Sequence, residues 1–265
     1  MSSKIQNYWI KIILLLIVII IILYAIDILT WNSSNKTNLI KTNSWIGFYQ
    51  NKAKSLSILE VDLNSAWIDF WGVDESKKED FYRFKRHFAR EFDYKKYNAY
   101  FFVNWQFFDQ NKNPTFLSFP LKSDWKIISD YLDNDIPKRT FIIDKNKNAK
   151  ILKWYEKKYL ENDNYRELIV WFYPDVKANK NAKIWRTYIW LLSSKKVVFF
   201  ITKNRTQEEM NKIIWDYWIK KDNIIMMDGW PSSQFAFYEN NWPWSTWKQF
   251  YGWWEVPQVF IIYNE

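Results

Sequence analysis

An apolar run, Ile224-Ile225-Met226-Met227, leads directly into Asp228-Gly229-Trp230-Pro231-Ser232-Ser233. An acid held at the end of a strand, then a flexible residue and two hydroxyls, is a common way to build a polar site. The strand fixes the carboxylate, and glycine lets a ligand come close to the backbone. The same residues also make an ordinary Asp-Gly turn. Three other segments carry comparable groups: Val103-Asn104-Trp105-Gln106-Phe107-Phe108-Asp109, Ile184-Trp185-Arg186-Thr187, and Tyr251-Gly252-Trp253-Trp254-Glu255-Val256-Pro257. Asp109 could be a second carboxylate or a turn residue. The chain has no cysteine, which excludes thiol catalysis and a disulfide framework. Its one histidine, His87, sits in a charged helix-like stretch and reads as structural, so a histidine triad or a multi-histidine metal site is not expected. No pattern demands a cofactor; a divalent ion held by Asp228 is the one metal site the sequence leaves open.

The glycine count bears on all of these segments. The chain has 19 tryptophans and 4 glycines in 265 residues, whereas average usage would give about eighteen or nineteen glycines. The counts look exchanged, as they would if UGA codons read as glycine in the organism were written as tryptophan. Position supports this. Trp218 follows a helix-like stretch in the slot where glycine caps helices, and Trp125 follows Asp124 where an Asp-Gly turn would join two strands. Trp230, Trp242, Trp244, Trp247, Trp253 and Trp254 crowd into loop-like sequence. The competing reading is a truly tryptophan-rich adhesion protein with aromatic platforms.

With Trp105, Trp190, Trp230 and Trp253 read as glycine, the ordered segments resemble the phosphodiester glycosidase family, named for N-acetylglucosamine-1-phosphodiester α-N-acetylglucosaminidase. That family has Asn-Gly-x-Phe-Phe after a strand, matched here at Asn104, Phe107 and Phe108. Its Arg-Thr-x-x-Gly opens a hairpin, matched at Arg186 and Thr187. A helix with Thr-x-x-Glu, matched at Thr206 and Glu209, precedes Asp-Gly-Gly-x-Ser-Ser, matched at Asp228, Gly229, Ser232 and Ser233. The resemblance covers roughly residues 55 to 265. It implies hydrolysis of a sugar-1-phosphodiester, with a carboxylate near the glycosidic oxygen and donors on the phosphate. In that scheme Asp228 is the carboxylate, Arg186 holds the phosphate through its fork, and Asn104 belongs to the catalytic group. Substrate contacts would come from Gly229, Ser232, Ser233, Phe108, Asp109, Thr187 and Gly252. A non-catalytic glycan-binding surface protein on the same fold is the alternative.

Positioning these groups requires mainly strands. Leu56 to Leu63 alternates; Tyr97 to Asn104, Leu117 to Leu121, Lys126 to Ser129, Phe141 to Asp144 and Leu168 to Tyr173 are short strand candidates. Thr187 to Leu192 and Val197 to Thr202 predict a hairpin, and Thr206-Gln207-Glu208-Glu209 predicts a capping box opening a helix that runs to about Tyr217. Asn223 to Met227, Phe235 to Tyr238 and Val256 to Tyr263 complete the strands, and residues 77–92 predict an amphipathic helix. The expected class is α+β (mixed α/β), a single domain with a mixed multi-stranded sheet.

Residues 12–26 are an unbroken apolar run preceded by Lys4 and Lys11. The expected organisation is a transmembrane signal anchor over 1–30, a polar linker over 31–43 and one domain over 44–265. The positive-inside rule puts the N-terminus in the cytoplasm and the domain outside, and no small-x-small cleavage site follows the run. The net charge is +9. The lysines are scattered, without an arginine-rich run or a nucleic-acid motif, so a nucleic-acid partner is not expected. The charge suits phosphate-bearing envelope polymers, or simply reflects a lysine-rich surface.

Overall fold

Period-two alternation and short apolar runs give strands, and strands dominate this chain. The computed structural model describes residues 12–23, 37–42, 44–51, 55–70, 99–104, 115, 117–132, 138–174, 180–217, 219–229, 233, 235–241, 244–250 and 259–264. Two sheets are present in one domain. The larger, of eleven strands, contains β1 (Thr37–Thr42), β2 (Ile46–Asn51), β3 (Leu56–Asp62), β6 (Leu121–Ser123), β7 (Lys126–Ser129), β8 (Lys138–Asp144), β9 (Ala149–Leu152), β10 (Tyr165–Phe172), β11 (Ile184–Ser193), β12 (Lys196–Arg205) and β13 (Ile224–Gly229). The smaller, of five, runs in the order β15 (Trp244–Phe250), β14 (Phe235–Asn241), β5 (Ala99–Asn104), β16 (Val259–Asn264), β4 (Ala66–Asp69).

Every strand pairing among the described residues is antiparallel, so the expected mixed sheet resolves into two antiparallel ones. The larger sheet runs β1-β2-β3-β12-β11-β13-β10. There β10 divides its edges: β8 pairs along its whole length, β6 meets Leu168 and Ile169, and β13 meets Phe172. The core fills the space between sheets. Phe70, just past β4, and Phe199 on β12 of the larger sheet converge on Phe260 of β16, with ring centroids at 5.0 and 5.3 Å. Each such fully buried side chain contributes about 1.5–3 kcal/mol relative to exposure.

Two helices are described. α1 spans residues 12–23, with residues 13–23 all exposed despite their apolar side chains. Among the described residues no helix is long and apolar enough to cross a membrane. α2 (Gln207–Asp216) opens on the expected capping box: Glu209 N–H donates to Thr206 Oγ1 at 3.2 Å, and Thr206 N–H donates to Glu209 Oε2 at 2.7 Å. It buries Met210, Ile213 and Ile214 and ends at Tyr217.

Three expectations change. Residues 37–42, read as linker, form β1, because backbone pairing with β2 from Thr37↔Asn51 to Thr42↔Gly47 gives the polar stretch its partners. Trp244 and Trp247 lie in β15 rather than in a loop; the strand pairs residue by residue with β14, from Trp244↔Asn241 to Phe250↔Phe235. The strand expected over 117–121 lies at Leu121–Ser123 instead. The helix expected over 77–92 falls outside the described residues. The β6–β7 turn is a two-residue connection with φ 46° at Asp124 and 61° at Trp125. A turn with both central residues at positive φ is the type I′ geometry that favours Asp-Gly, so the backbone at Trp125 is one suited to glycine.

Candidate functional site

The strand that carries Asp228 is set by its apolar start. Ile224, Ile225, Met226 and Met227 are all buried. Arg139 pins the entry: its guanidinium donates to the carbonyls of Lys221 and Ile224 and to Asp222 Oδ1, and lies 4.3 Å from the Tyr173 ring centroid. β13 then runs beside β11 with Arg186 opposite Gly229. Gly229 has to be glycine here. A Cβ would stand 2.6 Å from the Trp185 carbonyl oxygen, inside contact distance of a backbone atom that cannot swing away. Gly229 therefore lies directly against the strand that presents Arg186 and Thr187.

Arg186 is wholly buried. Its Nε donates to the Arg205 carbonyl at 3.2 Å and its Nη2 to the Ala182 carbonyl at 3.4 Å. Burial pulls its pKa down, partly offset by Tyr188. The Tyr188 phenol, also buried, is pushed up to about 12 by burial, against the favourable pull of Arg186 and Gln207. Gln207 Nε2 donates to the Tyr188 hydroxyl at 3.2 Å and to the Pro174 carbonyl. The first residue of α2 thus reaches the strand of Arg186. Tyr188 and Gln207 were not marked by the sequence reading. The signal available was a tyrosine two residues beyond Arg186 on the same face of β11.

Thr187 Oγ1 donates to Ser233 Oγ at 2.9 Å, with both residues fully buried. This joins the Arg186-Thr187 segment to the Ser232-Ser233 segment. The chain then enters the smaller sheet, where Phe235 pairs with Val103. Asn104, next along β5, ends that strand beside the approach to β14, and it pairs with Val259. The fold thus brings Arg186, Thr187, Gly229, Ser233 and the backbone of Asp228 and Asn104 to one end of the two sheets. Ser232, Phe108, Asp109 and Gly252 lie outside the described residues, as do Trp105, Trp230 and Trp253. Trp190 is described: its ring packs on Phe200 with centroids 5.9 Å apart.

A second polar cluster, at the opposite end of β10, was not legible beforehand. Glu167 is fully buried and accepts from Phe70 N–H at 2.9 Å, Ser123 Oγ–H at 2.7 Å and Asp124 N–H at 2.8 Å. Arg166 bridges to Asp69 at 3.1 Å and lies over the Trp67 ring at 4.0 Å. Burial, then the Asp69 charge, push the Glu167 carboxyl up to about 8. Asp69 and Tyr263 come from the smaller sheet and Arg166 and Glu167 from the larger, so the cluster ties the two together. All these groups have partners, and the cluster reads as a structural clasp.

By sequence the chain matches no protein-family model and no curated protein. By structure it is similar to the catalytic domain of zebrafish N-acetylglucosamine-1-phosphodiester alpha-N-acetylglucosaminidase, solved auto-inhibited by its pro-peptide. The identity is 14%, the TM-score 0.54, and 87% of each chain is covered. It is also similar to a hypothetical protein from Synechocystis at 8% identity and TM-score 0.54, covering 87% of this chain and 64% of that one. The likeness is one of fold.

Proposed function

We propose that the chain is a membrane-anchored, extracytoplasmic hydrolase that cleaves a sugar-1-phosphodiester in envelope or extracellular glycans. The observation that carries the reading is the Arg186↔Gly229 register. It sets the Arg-Thr segment beside the Asp-Gly segment, and the fold is similar to that of a domain named for this chemistry. In the reaction the C1–O bond of the sugar breaks and water adds to C1. Asp228 takes the proton of that water, and the phosphomonoester leaves with its charge against Arg186. Asn104, Thr187, Ser232 and Ser233 orient hydroxyls and phosphate oxygens. The anchor is α1 and its apolar neighbours: residues 13–23 expose apolar side chains on every side of the helix, which suits lipid rather than one protein face.

One observation favours the alternative, a non-catalytic glycan-binding protein on the same fold. The Arg186 guanidinium is buried and already holds two backbone carbonyls, which suits a structural role. The test is release of sugar from a synthetic N-acetylglucosamine-1-phosphodiester by the full chain in detergent. The protein is made as written and with glycine at Trp105, Trp190, Trp230 and Trp253. Release by the glycine form, abolished by Asp228→Asn, supports the enzyme. Release that survives Asp228→Asn removes Asp228 from the chemistry, and no release by either form removes this substrate.

A further inference from the structure

At the other end of β11 from Arg186 an open cleft of about 170 Å³ lies across β2, β3 and β12. Its floor follows from the register. Gly47 on β2 faces Glu60 on β3, Glu60 faces Val198 on β12, and Asp62 faces Lys196. Gly47 leaves room there for the Tyr49 ring: a Cβ would meet Tyr49 Cε2 at 2.8 Å and its hydroxyl at 2.9 Å. The phenol end of Tyr49 therefore crosses the bare backbone of Gly47 and forms part of the cleft wall. Burial, then the Glu60 charge, raise the Tyr49 pKa. Asp62 Oδ1 accepts from Asn64. Among the described residues Glu60 has no hydrogen-bond or ion-pair partner. Leu192, 48% exposed, supplies an apolar side.

The chemistry of the lining selects the ligand. Among the described lining residues two carboxylates stand against one cation, Lys196, which disfavours an anion, and a carboxylate with no partner disfavours an apolar guest. A hydroxyl-rich ring suits the site: carboxylates accept from neighbouring hydroxyls, Lys196 donates, and the Tyr49 ring and Leu192 meet the ring's C–H face. We propose that this cleft is a saccharide-binding subsite, separate from the Arg186–Gly229 end. From Arg186 to Leu192 the strand rises about 20 Å, a separation that would let the cleft hold a remote unit of an extended glycan. The inference does not depend on Asp228 being catalytic.

The experiment is saturation-transfer NMR on the full chain in detergent with glucose and N-acetylglucosamine at millimolar concentration. Asp228→Asn, Tyr49→Ala, Glu60→Gln and Gly47→Ala are run beside the chain as written. The expected result is binding in the millimolar range. It should weaken at least about tenfold in Tyr49→Ala and Glu60→Gln, weaken in Gly47→Ala as the phenol is displaced, and persist in Asp228→Asn. A cooperative melt near the parent temperature for Glu60→Gln keeps misfolding out of the comparison. No transfer from either sugar overturns the proposal, as does binding indifferent to Tyr49 and Glu60. Transfer lost in Asp228→Asn but kept in Glu60→Gln assigns the sugar to the other end and likewise overturns it.

Discussion

Replacing Gly229 with alanine tests the close approach of β13 to β11. The added Cβ would sit 2.6 Å from the Trp185 carbonyl oxygen, 3.7 Å from its carbonyl carbon and 3.8 Å from the Arg186 Cα. Ordinary van der Waals contact begins at 3.4 Å, about 0.8 Å further out, and the obstruction is backbone on both sides, so one strand must move. Overpacking of this kind costs about 1–3 kcal/mol. For a domain of this size about 2 kcal/mol corresponds to a loss of roughly 4–8 °C in melting temperature. Gly47→Ala is the internal control. Its Cβ meets only the end of the Tyr49 ring, at 2.8 Å, and that ring can swing out; the expected cost is below about 1 kcal/mol. Thermal melts followed by near-ultraviolet circular dichroism read both. If Gly229→Ala melts within a degree of the parent, or Gly47→Ala falls as far, the backbone–backbone contact is looser than the 2.6 Å approach requires. Since Arg186 is opposite Gly229, the same shift should also reduce any turnover.

Trp125→Gly should stabilise the chain by about 0.5–1 kcal/mol in urea unfolding. Relief of an L-residue from the left-handed region is worth about 1–2 kcal/mol, and loss of the Arg166–Trp125 cation–π contact at 5.1 Å returns about 0.5–1; a destabilised variant would refute the turn argument. Peptide masses of the native protein across residue 125 should show glycine if the codon reading holds, and tryptophan if it does not. Thr206→Ala removes the cap on α2 and should lower stability by about 1 kcal/mol, while an unchanged melt would mean the capping box is redundant. Glu167 gives a pH test. Its carboxyl sits at about 8 in the fold against an ordinary 4.5, so the folded chain holds a proton the unfolded chain gives up. Stability from this group is present below about pH 4.5 and is lost as pH rises through 8. The stability of Glu167→Gln should therefore gain on the parent across that window. Parallel stability curves would show that the three donated hydrogen bonds hold the group ionised.

The strands with a strong local pattern were legible. β3, β11, β12 and β13 are alternating or apolar runs bounded by turn residues, and the cap at Thr206 needs only residues three apart. β1 and β15 were not, because their polar residues become strand only through pairing with β2 and β14. β10 begins at Tyr165, three residues earlier than its apolar run, since Glu167 is satisfied by Ser123 and Asp124 from a distant hairpin that no local pattern reveals. At the candidate site the motif residues Arg186, Thr187, Gly229 and Ser233 come from separate segments that the fold brings together. Their supports, Tyr188 and Gln207, act through a contact between a strand and a helix start, and that contact appears only in the folded chain.

The position of β16 has a consequence for assembly. It lies inside the smaller sheet, between β5 and β4, and Val259 is the residue opposite Asn104. β3 likewise waits for β12, with Asp62 opposite Lys196. Pairings this distant in sequence close slowly, because chain entropy is lost before contacts are gained. During synthesis β4 and β5 must therefore stay apart, with open edges, until Val259–Asn264 has been made. A chain stopped short of that point would lose an inner strand of the smaller sheet, and would expose the facing edges of β5 and β4 to pairing with other chains.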